Sequence, residues 1–151
     1  MLSKSLRLML FTAMALAAVA VQAKTIEIEG LDSLKFDTET ITVKPGEEVT
    51  IKLVNNTELP ANAMSHNWVL LVAAADAEAY DQAATQAGAD NDYMPADMDD
   101  QVIAATGMVA GGESETVTFT APEEPGDYEY ICTFPGHFAA GMKGVLKVEK
   151  S

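Results

Sequence analysis

Cysteine, histidine, tryptophan and positive charge are all scarce in this chain. Its 151 residues include one Cys, two His and one Trp, and nine Lys or Arg against 23 Asp or Glu. Each shortage excludes something. A single cysteine cannot build a disulfide framework within the chain. A formal charge of −14 repels phosphate backbones, which removes nucleic acid from the candidate partners. No uncharged apolar run reaches the roughly 20 residues that a membrane-spanning helix needs. Lack of apolar residues is not among the shortages: 48% of the chain is hydrophobic, too much for an intrinsically disordered segment.

Residues 1–23 read as a secretory leader. Lys4 and Arg7 form a basic start, residues 8–19 are apolar without an acidic group, and Val21-Gln22-Ala23 offers small side chains for cleavage. Removal after Ala23 leaves residues 24–151 as one domain and takes the formal charge from −14 to −16. An exported domain with one unpaired thiol invites oxidation or wrong pairing unless something occupies the sulfur.

The domain reads mostly in steps of two. Ile26 and Ile28 alternate with Glu27 and Glu29, Ile41 and Val43 with threonines, and Val49, Ile51 and Leu53 with polar residues. Val117 and Phe119 continue the pattern, as do Tyr128, Tyr130 and Cys132; Trp68 to Val72 is a short apolar run, and Val145, Leu146 and Val148 close the chain. Gly, Pro, Asn and Asp punctuate these runs. The expectation is an all-β sandwich or barrel of seven or eight strands. One stretch departs: Tyr80, Ala83, Ala84 and Ala87 lie at helical spacing, with Asp76 to start the helix and Gly88 to stop it. The acidic residues 89–101 that follow lack the glycine and final glutamate of an EF-hand and read as a solvated loop. Asn55-Asn56-Thr57 is a formal glycosylation sequon.

The scarce residues cluster. Cys132 and His137 are five positions apart across a Pro135-Gly136 turn, Met142 follows five residues later, and His66 precedes the apolar run at Trp68. Taken singly, each has an ordinary reading: a buried small side chain, a surface imidazole, a capping imidazole, a packing thioether. Together, two imidazoles and a thiolate with a weak thioether suit a blue-copper electron-transfer centre, which would also occupy the lone thiol. Zinc is chemically open, because Cys and His bind it too.

The stretch Ser65-His66-Asn67-Trp68, the run Cys132-Thr133-Phe134-Pro135-Gly136-His137 and Met142-Lys143-Gly144 closely resemble the azurins, bacterial blue-copper proteins of the cupredoxin family. The resemblance implies a cupredoxin-like Greek-key fold with one short helical insertion. It implies one copper ion bound by His66 Nδ1, Cys132 Sγ and His137 Nδ1 in a plane, with Met142 as axial ligand. Asn67 would brace the ligand loops. Three features depart from azurins: Ser65 stands where they carry glycine, four residues rather than three separate His137 from Met142, and a second cysteine for their disulfide is missing. The longer loop resembles plastocyanin and the auracyanins.

The function implied is a periplasmic, soluble, monomeric one-electron carrier rather than an enzyme. Phe134, Pro135, Phe138, Ala139 and Ala140, with Leu34, Leu59, Ala63 and Met64, would form an apolar patch around the His137 edge where redox proteins dock. A copper store or delivery protein is the competing function, although no methionine-rich run is present. A copper oxidase or reductase would need further histidines.

Overall fold

The computed structural model describes residues 23–150; of the leader, all but Ala23 lies outside them. Two sheets pack face to face. In chain order the strands are β1 (Lys24–Leu31), β2 (Lys35–Phe36), β3 (Thr40–Val43), β4 (Glu48–Asn55), β5 (Val69–Leu71), β6 (Val102–Ala105), β7 (Glu113–Thr120), β8 (Gly126–Ile131) and β9 (Lys143–Val148). One sheet has the order β2-β1-β4-β7 and the other β3-β9-β8-β5-β6. β1 runs parallel to β4 and β3 parallel to β9, while the remaining ladders are antiparallel. The all-β expectation holds, with nine strands instead of seven or eight. The extra two are β2, only two residues long, and β6.

Side-chain alternation builds the core. Along β4 every second residue, Val49, Ile51, Leu53 and Asn55, is buried. Ile28, Ile51, Leu53, Leu70 and Leu146 are fully buried, each contributing roughly 1.5–3 kcal/mol by transfer from water. Trp68 is the centrepiece, its ring 5.8 Å from Phe119 and 5.4 Å from Tyr130. β5 is apolar on both faces for a reason: Leu70 faces this core, while Val69 and Leu71 join Ile131 in a second cluster covered by Ala77 and Tyr80.

Those covering residues belong to α1 (Ala77–Ala87). Asp76 Oδ1 accepts from the Ala79 amide at 3.0 Å, and the Gly88 amide donates to Ala84 O at 3.2 Å. Both ends are capped as the sequence predicts. Residues 89–101 wind into two short 3-10 turns. The sequon is unusable: Asn55 is buried, and its Nδ2 donates to Met64 O at 3.2 Å and Val109 O at 2.9 Å. Among the described residues, no helix is long and apolar enough to cross a membrane.

Candidate metal centre

Strand register brings the scarce residues together. β5 and β8 pair antiparallel, with Val69 opposite Ile131. Continued two residues past the strand ends, that register sets Asn67 opposite Thr133. There Asn67 Nδ2 donates to Thr133 Oγ1 at 2.7 Å and the Thr133 amide donates to Asn67 Oδ1 at 2.8 Å. Asn67 therefore ties the segment of His66 to the segment of Cys132, the bracing role expected of it. His66 is fixed from its other side by a bridge to Val109, with paired backbone bonds of 3.1 and 2.8 Å. The hairpin from β8 to β9 closes over residues 132–142: the Cys132 amide donates to Met142 O at 3.1 Å and the Met142 amide to His137 O at 2.9 Å.

Among the described residues, the only grouping of metal-ligating side chains is His66, Cys132 and His137, and all three are buried. The two Nδ1 atoms are 3.2 Å apart, and Cys132 Sγ lies 3.6 Å from Nδ1 of His137 and 4.0 Å from Nδ1 of His66. With metal–nitrogen bonds of about 2.0 Å and a metal–sulfur bond of about 2.3 Å, these separations subtend roughly 106°, 114° and 137°. One ion could therefore bond all three donors at once. Two imidazoles and a thiol are a donor set that suits copper. Met142 is fully buried beside Cys132 in the core cluster.

Burial tunes all three donors. Loss of solvent, with His137 alongside, lowers the His66 pKa to about 4, and desolvation also lowers that of His137. Both imidazoles are therefore neutral at pH 7, the form that binds metal. Desolvation pushes the Cys132 thiol up to about 12, although backbone amides of Asn67 and Phe134 directed at the sulfur pull the other way. A buried thiol so reluctant to ionise becomes a thiolate when a cation arrives to replace its proton.

Two supports of His66 escaped the sequence reading. Asn55 carries the carbonyls of Met64 and Val109 that flank it. Gly30 lies against the imidazole: a Cβ there would sit 2.5 Å from Cδ2 and 2.7 Å from Cγ. A glycine inside a strand is itself a signal of close approach. Gly30→Ala should push the His66 ring out of the donor triangle and cost about 2 kcal/mol through overpacking. A melting curve of the metal-free protein and the spectrum of the copper-loaded one measure the two effects. An unaltered spectrum would show that His66 tolerates displacement.

The surface around His137 is thinner than the sequence suggests. His137 is 3% exposed. Phe134 and Phe138 are half-buried: Phe134 packs 4.6 Å from the His137 ring and 5.6 Å from Tyr93, and Phe138 packs on the cluster under α1. In the ligand loop Pro135, Ala139 and Ala140 are exposed, as are Leu59, Pro60, Ala61 and Ala63 in the segment that leads to His66. Ser65, in the glycine position of azurins, is buried with its hydroxyl donating to Ala61 O at 2.8 Å.

Comparison with known proteins agrees with the site. The family described as copper binding proteins, plastocyanin/azurin family, matches residues 22–149. Azurin-1 of Alcaligenes xylosoxydans xylosoxydans is 42% identical over 127 residues, covering 82% of this chain and 96% of the relative. Auracyanin A of Chloroflexus aurantiacus, described as a "blue" copper protein, superposes with a TM-score of 0.75 at 39% identity, covering 85% of this chain and all of that one. Dithionite-reduced auracyanin of Roseiflexus castenholzii gives 0.74 at 40% identity, covering 85% and 98%. The chain thus belongs to the plastocyanin/azurin family of copper-binding proteins.

Proposed function

We propose that this protein is a one-electron carrier, in which His66 Nδ1, Cys132 Sγ, His137 Nδ1 and the thioether of Met142 would hold one copper. The observation that carries the reading is the convergence of two buried imidazoles and one buried thiol at one end of a β-sandwich. The ion supplies a Cu(II)/Cu(I) couple. The chain supplies stiffness: the Asn67–Thr133 bridge, the His66–Val109 bridge and the closed hairpin hold the donors in one geometry. Neither oxidation state then demands rearrangement. Azurin and auracyanin relatives support electron transfer rather than catalysis.

Location and partners follow from the same reading. Export to the periplasm, with the leader removed after Ala23, agrees with a family match that starts at residue 22 and a first strand that starts at Lys24. The exposed apolar residues around His137 suit brief docking by a redox protein, since weak redox encounters bury less than roughly 1,200 Å². The excess negative charge steers a basic partner from a distance and keeps the monomer in solution.

Reductive titration tests the proposal: oxidised protein should be intensely coloured and bleach with one electron equivalent. A colourless Cu(II) complex of the intact chain would end it. Ala139→Asp tests the docking face, because a carboxylate resists burial against an apolar partner. Spectrum and copper content should hold while electron self-exchange, at fixed salt, slows several-fold. Exchange at the wild-type rate would move the electron port elsewhere.

A further inference from the structure

The hairpin that carries His137 and Met142 is held from outside by a residue of the opposite sheet. β2 ends the first sheet, and Lys35 in β2 reaches across with its ammonium donating to Ala140 O at 3.0 Å and to Gly141 O at 3.1 Å. These two carbonyls belong to the part of the loop that is one residue longer than in azurins. Within the loop, the amides of Ala140, Gly141 and Met142 donate back to Gly136, Phe138 and His137. Among the described residues, the Ala140 carbonyl receives no backbone amide, and that of Gly141 receives only the Lys143 amide at 3.0 Å.

Two backbone features fit the contact. Gly141 has φ +94, and a Cβ there would collide with Lys35 Nζ, so only glycine lets the ammonium come so close. Leu34, immediately before Lys35, is held at φ 58, an uncommon conformation for a bulky residue. It ends the turn closed by the Leu34 amide on Leu31 O at 2.9 Å and sets the direction in which β2 departs. Among the described residues, Lys52 and Lys143 are engaged by carboxylates while Lys35 makes no ion pair. Its charge is directed at the loop.

We infer that Lys35 is a positioning residue for the copper centre: its ammonium clamps the carbonyls of Ala140 and Gly141, fixing the backbone that delivers Met142, and its charge favours the reduced centre. Reduction adds one negative charge to the centre, so a fixed cation nearby lowers the energy of the reduced form more than that of the oxidised form. The clamp stands without any metal; only the charge effect rests on the copper reading.

Three variants separate the parts. Lys35→Met keeps the stem and removes donors and charge, Lys35→Gln keeps a donor without charge, and Lys35→Arg keeps both. In the metal-free protein, amide hydrogen exchange of Gly141 and Met142 should speed at least tenfold in K35M, while β4 amides stay protected. K35Q should recover part of that protection and K35R most of it. With copper bound and the colour retained, the equilibrium constant for reduction should fall about threefold in K35M and K35Q, or roughly 28 mV for one electron, and return in K35R. Wild-type exchange of the loop amides in K35M overturns the clamp. A wild-type potential in K35Q overturns the charge effect. Absence of colour in the unmutated protein would instead sink the copper reading and leave the clamp standing.

Discussion

Cys132→Ser should leave the fold intact and remove the colour of the copper-loaded protein completely. Serine is close in size to cysteine, and position 132 is fully buried between β8 and the ligand hairpin. The amides of Asn67 and Phe134 that point at Sγ can donate to a serine oxygen, so the new hydroxyl does not enter the core unpaired. The stability change should stay within about 1.5 kcal/mol. What vanishes is the soft sulfur donor, whose proton a bound cation displaces. A hydroxyl does not become an alkoxide where a thiol becomes a thiolate, and an oxygen ligand does not favour Cu(I). Affinity for Cu(I) should drop by more than about a hundredfold, since groups merely hydrogen-bonded to metal ligands already account for about 10–100-fold. A visible spectrum and competition against a Cu(I) chelator read both effects. A C132S protein with wild-type colour would show that the thiolate is not the chromophore.

The sequence shows the strands best where one face is wet. Val49, Ile51 and Leu53 mark β4 because polar residues interrupt them, and the same holds for Val117 and Phe119 in β7. β6 escapes for the opposite reason: Val102, Ile103, Ala104 and Ala105 carry no alternation, and no turn residue separates them from the acidic segment before. β2 is too short for any periodicity. The parallel pairing of β1 with β4 and of β3 with β9 is a choice among distant partners, which no local pattern encodes.

The site divides in the same way. Cys132, His137 and Met142 declare themselves by spacing within one hairpin. His66 lies 66 residues before Cys132 and meets it only through the register of β5 on β8 and the bridge to Val109. Asn55 was visible as a polar residue in the buried phase of β4, yet its sequon context pointed outward. The carbonyls it holds are what make it structural. Phe134 and Phe138 look like surface residues in a loop, and partial burial against Tyr93 and the α1 cluster follows from contacts the loop sequence cannot show.

Acid should destabilise the metal-free protein through its buried imidazoles as pH falls below about 6.5. His66 has a folded pKa of about 4, held down by desolvation and by the facing His137, against about 6.5 when unfolded. Between those values the unfolded chain binds a proton that the folded chain refuses, so stability is full above pH 6.5 and declines as pH falls toward 4. A difference of that size removes about 3 kcal/mol across the window. His137, also lowered, adds to the loss in the same direction. The two cannot ionise together at an Nδ1 separation of 3.2 Å without repulsion between buried charges. At the alkaline end the thiol acts in mirror image: a Cys132 pKa of about 12 when folded makes the folded state refuse to lose a proton that the unfolded chain gives up near pH 8.5, and stability declines above that point. The metal-free protein should therefore be most stable between about pH 7 and 8.5. Copper uptake in that range should release one proton, from Cys132, because both imidazoles are already neutral. Urea unfolding at a series of pH values measures the window, and proton release into weak buffer measures the uptake. His66→Gln is the control, since it keeps the acidic surface and should lose most of the decline between pH 6.5 and 4. If wild type and H66Q decline in parallel, the acid sensitivity does not come from His66.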